Sequence, residues 1–121
     1  MKKLSPEFGP GASLVFGGSG GIGAAIATRI AQGGSDVAIT YKSRKEKALA
    51  AAEEIASLGV RCTIHQVDIA QRSQIDSAIQ GAIEAHGRLH SVVVAAGSDI
   101  KQPFLADVTD EQWDEVINGD L

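Results

Sequence analysis

The sequence predicts an α/β fold, a doubly wound parallel sheet with strands in the order 3-2-1-4 and helices on its faces. Three observations carry this reading. Short β-branched runs alternate with helical patterns along the chain, and such alternation builds right-handed crossovers between parallel strands. The apolar run Ser13-Leu14-Val15-Phe16 passes through Gly17-Gly18-Ser19-Gly20-Gly21-Ile22-Gly23 into a helical pattern without a break. Val92-Val93-Val94-Ala95-Ala96 is apolar at every position, as a strand covered on both faces requires.

Taken in order, residues 1–11 hold two prolines and two glycines and read as a flexible arm. The first strand is expected at Ala12 to Phe16 and the first helix at Gly21 to Gln32. Ile22, Ile26 and Ile30 fall at i, i+4 and i+8 on one face of that helix, and Gly33-Gly34 stop it. Asp36 to Tyr41 is the second strand. Lys45 to Leu58 is an alanine-rich helix whose apolar stripe is Leu49, Ala52, Ile55 and Ala56, with Gly59 at its end. Val60 to Val67 forms the third strand, and Asp68 opens the turn that leaves it. Ser73 to His86 is the third helix, with Ile75, Ile79, Ala82 and Ile83 facing inward and Gly87 as its stop. The fourth strand is Val92 to Ala96, closed by Gly97. A polar loop with Pro103 then leads to Thr109, which has capping-box spacing to Gln112 and starts a fourth helix carrying Trp113, Val116 and Ile117.

Composition narrows the class of molecule. With 121 residues, 44% hydrophobic and 21% charged, the chain has the mixture of one soluble globular domain. No apolar run approaches the roughly 20 residues of a membrane span. The N-terminus lacks the apolar core of a signal peptide, so a cytoplasmic location is the expectation. A net charge of −4 with scattered basic residues argues against a nucleic-acid surface. Cys62 is the single cysteine, which rules out an internal disulfide and a cysteine-based zinc site; an inert core thiol is expected. His65, His86 and His90 read as isolated surface or strand-end residues, and no spacing suits a metal.

The glycine stretch is the leading candidate for a binding site. Glycines let the backbone approach a ligand closely and adopt positive φ, and the first free N–H groups of the following helix favour a bound phosphate. The order 3-2-1-4 puts this loop at the crevice between strands 1 and 4, where a dinucleotide belongs.

These residues carry a family resemblance. Gly17-x-x-x-Gly21-Ile22-Gly23 after a strand resembles the TGxxxGxG fingerprint of the short-chain dehydrogenases/reductases. Val67-Asp68 is similar to the family's aspartate that meets the adenine ring, Val92 to Gly97 to its LVNNAG strand, and Trp113-Asp114-Glu115-Val116-Ile117 to the start of its WDxVxxVNL helix. The resemblance covers residues 12–121 and implies a Rossmann-like domain of which this chain is the N-terminal half. It further implies cofactor contacts at Gly17, Gly21, Ile22 and Gly23, at Asp68 and Ile69, and at Ala96 and Gly97. Ser19 either donates its hydroxyl to a phosphate or stabilises the turn. For Asp68 the adenine contact is favoured over a plain turn role.

The end of the second strand selects the nucleotide. An NAD enzyme places Asp or Glu there to bind both ribose hydroxyls. Here Tyr41 is followed by Lys42, Ser43 and Arg44, whose charges and donors suit the 2′-phosphate of NADP. NADP is therefore expected, with NAD as the alternative.

Departures from the family pattern limit what is carried over. Phe16 replaces the fingerprint threonine, so a hydroxyl tying the first strand to a neighbour is missing. Val94-Ala95 replaces Asn-Asn, and Asp120 stands where the family has a catalytic asparagine. The family's serine and Tyr-x-x-x-Lys pair are not found, so no catalytic residue is assigned and the chain alone is expected to be inactive. Alcohol/carbonyl hydride transfer then requires a missing half. The expected partners are a small alcohol or carbonyl substrate and a homo-oligomer or complementing chain segment, with neither nucleic acid nor membrane. A non-catalytic nucleotide-binding or interaction module is the alternative. The fourth strand, as a border, would leave an unpaired apolar edge open to a partner.

Overall fold

A computed structural model describes residues 8–95. Four parallel strands form one sheet in the order β3-β2-β1-β4, with β1 at Ala12–Phe16, β2 at Asp36–Tyr41, β3 at Cys62–Gln66 and β4 at Leu89–Val94. The helices are α1 at Gly21–Gln32, α2 at Lys45–Ala56 and α3 at Arg72–His86. Sheet order and crossovers are those the sequence predicts. The predicted fourth helix, along with Ala96 and Gly97, lies outside the described residues.

Alternation along β1 and β2 divides the core into two layers. Val15, Val37 and Ile39 face α1 and α2, packing with Ala27, Ala31 and Ile55. Leu14, Phe16 and Ala38 face the other way, toward Ala78 and Ala82 of α3. Both layers meet at β1, whose five residues are all buried. Such double burial is what makes the interior strands of a parallel sheet continuously apolar.

The helix faces correct the stripes expected from the sequence. In α1 the buried residues are Gly23, Ala27 and Ala31, while Ile22 is 78% exposed. The stripe is displaced by one residue because small side chains let the helix sit close on the glycine loop and β1. In α2 the buried positions are Ala48 and Ile55, and Leu49 is turned outward. In α3 they are Ala78 and Ala82, with Ile75 and Ile79 half-buried and Ile83 exposed. Alanine again carries the close approach, and larger residues flank it.

Strand β4 also differs, starting three residues early at Leu89. It pairs with β1 from Leu89 opposite Ala12 to Val94 opposite Phe16, with an irregularity between Ala12 and Ser13. Val92 and Val94 are 54% and 66% exposed among the described residues. At the opposite end of the sheet Phe8 stacks on His90, with ring centroids 5.2 Å apart. The Ala12 N–H donates to the Arg88 carbonyl at 2.8 Å.

Candidate dinucleotide site

All four strands run the same way, so the segments that follow them gather along one edge of the sheet. Residues 17–23 follow β1, 42–44 follow β2 and 67–69 follow β3. The sequence-predicted contacts within the described residues therefore share one rim.

The glycine loop is a short stack of backbone contacts. Gly17 has φ 79°, a conformation L side chains rarely adopt. Its carbonyl oxygen accepts the Gly20 N–H at 3.2 Å, and the Gly18 N–H donates to the Val15 carbonyl at 3.2 Å. A Cβ at Gly23 would lie 2.0 Å from the Gly17 carbonyl oxygen, and one at Gly18 would lie 2.6 Å from Ile39 Cγ2. Gly17, Gly18 and Gly23 thus have no room or no backbone freedom for a side chain. At Gly21, by contrast, a Cβ would meet nothing within 4 Å. That position is glycine on an open face, where bulk would obstruct a ligand and not the fold.

Helix α1 begins with its donors unspent. Ala24 is the first to close an intrahelical turn, donating to Gly20 at 2.6 Å. The N–H groups of Gly21, Ile22 and Gly23 precede that bond, and helix geometry provides them with no acceptor. The N-cap is Gly20, which has no side chain to supply one. Three adjacent donors at the positive end of the helix dipole fit an anionic diphosphate. The half-buried Ser19 sits beside them, and exposed Ile22 presents an apolar face on the same rim.

At the end of β2, Tyr41 is half-buried and its carbonyl accepts the Val67 N–H at 2.8 Å. Lys42, Ser43 and Arg44 are exposed. The Lys42 carbonyl accepts from Gln66 Nε2 at 3.2 Å, so the basic turn is fastened by its backbone while its side chains reach solvent. Arg44 is the N-cap of α2 and lies 3.9 Å from Glu46, a loose surface pair. The dipole disfavours cations at that helix start.

Asp68 does structural work at the end of β3. Its Oδ1 accepts the Ala70 N–H at 3.0 Å, its own N–H donates to Gln74 Oε1 at 2.8 Å, and its carbonyl accepts the Gln71 N–H at 2.9 Å. The turn role weighed in the sequence is thus real. Half-buried Ile69 packs against the core layer under α3.

The sequence reading missed Thr40. Its Oγ1 accepts the Gly17 N–H at 2.9 Å, linking β2 to the loop. The missing fingerprint hydroxyl at Phe16 thus has a counterpart on the neighbouring strand. A polar residue at the last inward position of an otherwise apolar strand was the available signal. The histidines are also less isolated than expected. His65 and His86 both place Nε2 on Thr63 Oγ1, at 2.9 and 2.8 Å. His90 lies between Ser35 and Ser91. The first cluster lies on the edge strand under α3, and the second lies at the N-terminal ends of the strands, away from the rim. Among the described residues no three metal-binding side chains come together, and no helix is long and apolar enough to cross a membrane.

Comparison with known proteins agrees with this geometry. The family model described as short chain dehydrogenase matches residues 12–121. A 3-oxoacyl-(acyl-carrier-protein) reductase of Aggregatibacter actinomycetemcomitans is 40% identical over 108 residues, covering 89% of this chain and 44% of that protein. A dehydrogenase/reductase structure from Sinorhizobium meliloti matches with TM-score 0.84 and 36% identity, over 98% of this chain and 45% of that one. A short chain dehydrogenase from Burkholderia cenocepacia, solved in complex with NADP, matches with TM-score 0.81 and 40% identity, over 91% of this chain and 44% of that one. The chain therefore spans under half the length of these relatives.

Proposed function

The chain belongs to the short-chain dehydrogenase family, and on that premise we propose that it supplies the cofactor-binding half of an NADP(H)-dependent oxidoreductase that interconverts an alcohol and a carbonyl. The observation that carries the reading is the set of three unspent N–H groups at Gly21, Ile22 and Gly23, behind a glycine N-cap and beside an exposed basic turn. The diphosphate sits on these donors. Lys42, Ser43 and Arg44 take the ribose 2′-phosphate, where an acidic residue would repel it. Asp68 and Ile69 border the adenine, with one Asp68 oxygen already engaged by Ala70.

The nicotinamide, when bound, would carry the hydride, giving it to a carbonyl or taking it from an alcohol. The residues assigned above bind and orient the cofactor. Protonation of the developing alkoxide needs an acid, a role given to none of these residues. Support for NADP comes from the charge of the turn and from the Burkholderia relative, which was solved with that nucleotide.

Titration of NADPH and NADH into the protein and its Lys42→Ala and Arg44→Ala variants tests the reading. Each substitution should weaken NADPH by about 1 kcal/mol or more beyond its effect on NADH. Equal weakening of both cofactors would refute the 2′-phosphate assignment. Failure to bind either cofactor would refute the dinucleotide site. NADPH binding without turnover of any carbonyl by the full-length protein would favour a non-catalytic module.

A further inference from the structure

Thr40 contributes nothing to the cofactor contacts described above, yet it is 2% exposed and takes the first N–H of the glycine loop. Its position constrains Gly17 from one side. From the other, the Gly17 carbonyl accepts the Gly20 N–H and stands against the Cα of Gly23. The two peptide planes flanking Gly17 are thus held at φ 79° by a side chain and by the loop itself. With its N–H turned into the sheet, Gly17 cannot donate to an anion. The donors left to meet one include those of Ser19, Gly21, Ile22 and Gly23.

The location of Thr40 adds a second consequence. It immediately precedes Tyr41 and the basic turn, and its neighbour Ile39 packs where a Cβ on Gly18 would go. One end of β2 therefore holds both the loop that would seat a diphosphate and the cations that would meet a 2′-phosphate.

We propose that Thr40 is a positioning residue for the dinucleotide: its hydroxyl, by accepting the Gly17 N–H, sets the glycine loop in the geometry that receives the diphosphate. The inference rests on the dinucleotide reading. It requires a hydroxyl at residue 40, not bulk, because valine fills the same space and cannot accept a hydrogen bond.

The test compares wild type, Thr40→Val and Thr40→Ser in the full-length protein against NADPH, NADH, ADP and 2′-AMP. ADP carries the diphosphate without the 2′-phosphate, and 2′-AMP the reverse. Thr40→Val should weaken NADPH, NADH and ADP by roughly five-fold or more and leave 2′-AMP unchanged. Thr40→Ser should restore all three. In wild type the Gly17 amide should be protected from hydrogen exchange with and without NADPH, a measurement that stands even where Thr40→Val does not fold. The proposal is overturned by wild-type ADP affinity in Thr40→Val, by equal loss for 2′-AMP, by Thr40→Ser behaving as valine does, or by an unprotected Gly17 amide. Wild type that binds none of the four ligands removes the dinucleotide reading and this proposal together. Wild type that binds them while Thr40→Val is unaffected removes the proposal alone.

Discussion

A methyl group added at Gly23 would lie 2.0 Å from the Gly17 carbonyl oxygen, 2.6 Å from its carbon and 3.1 Å from Gly18 Cα. Non-bonded heavy atoms rest at roughly 3.5 Å, so the start of α1 and the loop must part by about 1.5 Å. Every opposing atom is backbone, and no side chain can rotate away. Overpacking of this kind costs about 1–3 kcal/mol, and the rigidity of the neighbours puts Gly23→Ala near 3. For a domain of this size that lowers the melting temperature by roughly 10–20 °C. Gly21→Ala is the control, because a Cβ there meets nothing within 4 Å. It exchanges glycine for the best helix former, so stability should hold or rise by no more than about 1 kcal/mol. It also puts a methyl group in front of the unspent donors, so NADPH affinity should fall. Thermal unfolding and NADPH titration of the two variants check both halves. Gly23→Ala with wild-type stability would show that the loop does not press on α1 as described, and Gly21→Ala with wild-type affinity would move the diphosphate elsewhere.

Other consequences can be checked more simply. Burial raises the Cys62 thiol from 9.0 to about 11, so alkylation by iodoacetamide at pH 7.5 should be slow in the folded protein and fast after denaturation. Burial lowers the His65 pKa below its ordinary 6.5. The unfolded chain then binds the proton more readily, so this residue's share of stability is complete above about pH 6.5 and declines as the pH falls toward the folded value. His65→Gln should flatten the loss of stability between pH 7 and 5, as read by urea unfolding. Ser35 donates its hydroxyl hydrogen to the Asp36 carbonyl at 2.8 Å, which leaves its oxygen to accept from His90 Nε2 at 2.8 Å. Ser13 donates to Ser91 at 3.3 Å, and Ser91 to His90 Nδ1 at 2.6 Å. The neutral ring should therefore carry its hydrogen on Nε2, and nitrogen-15 shifts showing it on Nδ1 would break this chain of donors.

Much of the fold was legible because hydrophobic alternation and glycine stops are local signals. β1, β2 and α1 have the limits the sequence predicts, and the strand order is the predicted one. Helix faces were less legible. Counting apolar residues favoured Ile22 and Leu49, but close packing on the sheet favours what is small, and Gly23, Ala27 and Ala48 took the buried positions. The start of β4 was hidden because Leu89-His90-Ser91 reads as polar, although Ser13 and Ser35 give its side chains partners. Gly17 and Gly23 could be read directly, since φ or close approach excludes other residues there. Thr40 offered only its polarity in an apolar strand, because its role depends on a residue 23 positions away.

The two strands that flank β1 reach it by very different routes. Ser13 lies opposite Val37, 24 positions on (13 to 37), but also opposite Ser91, 78 positions on (13 to 91). Closing the longer loop costs about 1 kcal/mol more in chain entropy. The contacts that shape the glycine loop, from Thr40 and Ile39, belong entirely to the shorter one. In folding order, then, the seat for the diphosphate can be assembled from the first 40 or so residues, before β4 has found its place. A nucleotide bound on that seat would therefore stabilise the β1–β2 pairing directly, and the β1–β4 pairing only through the finished sheet.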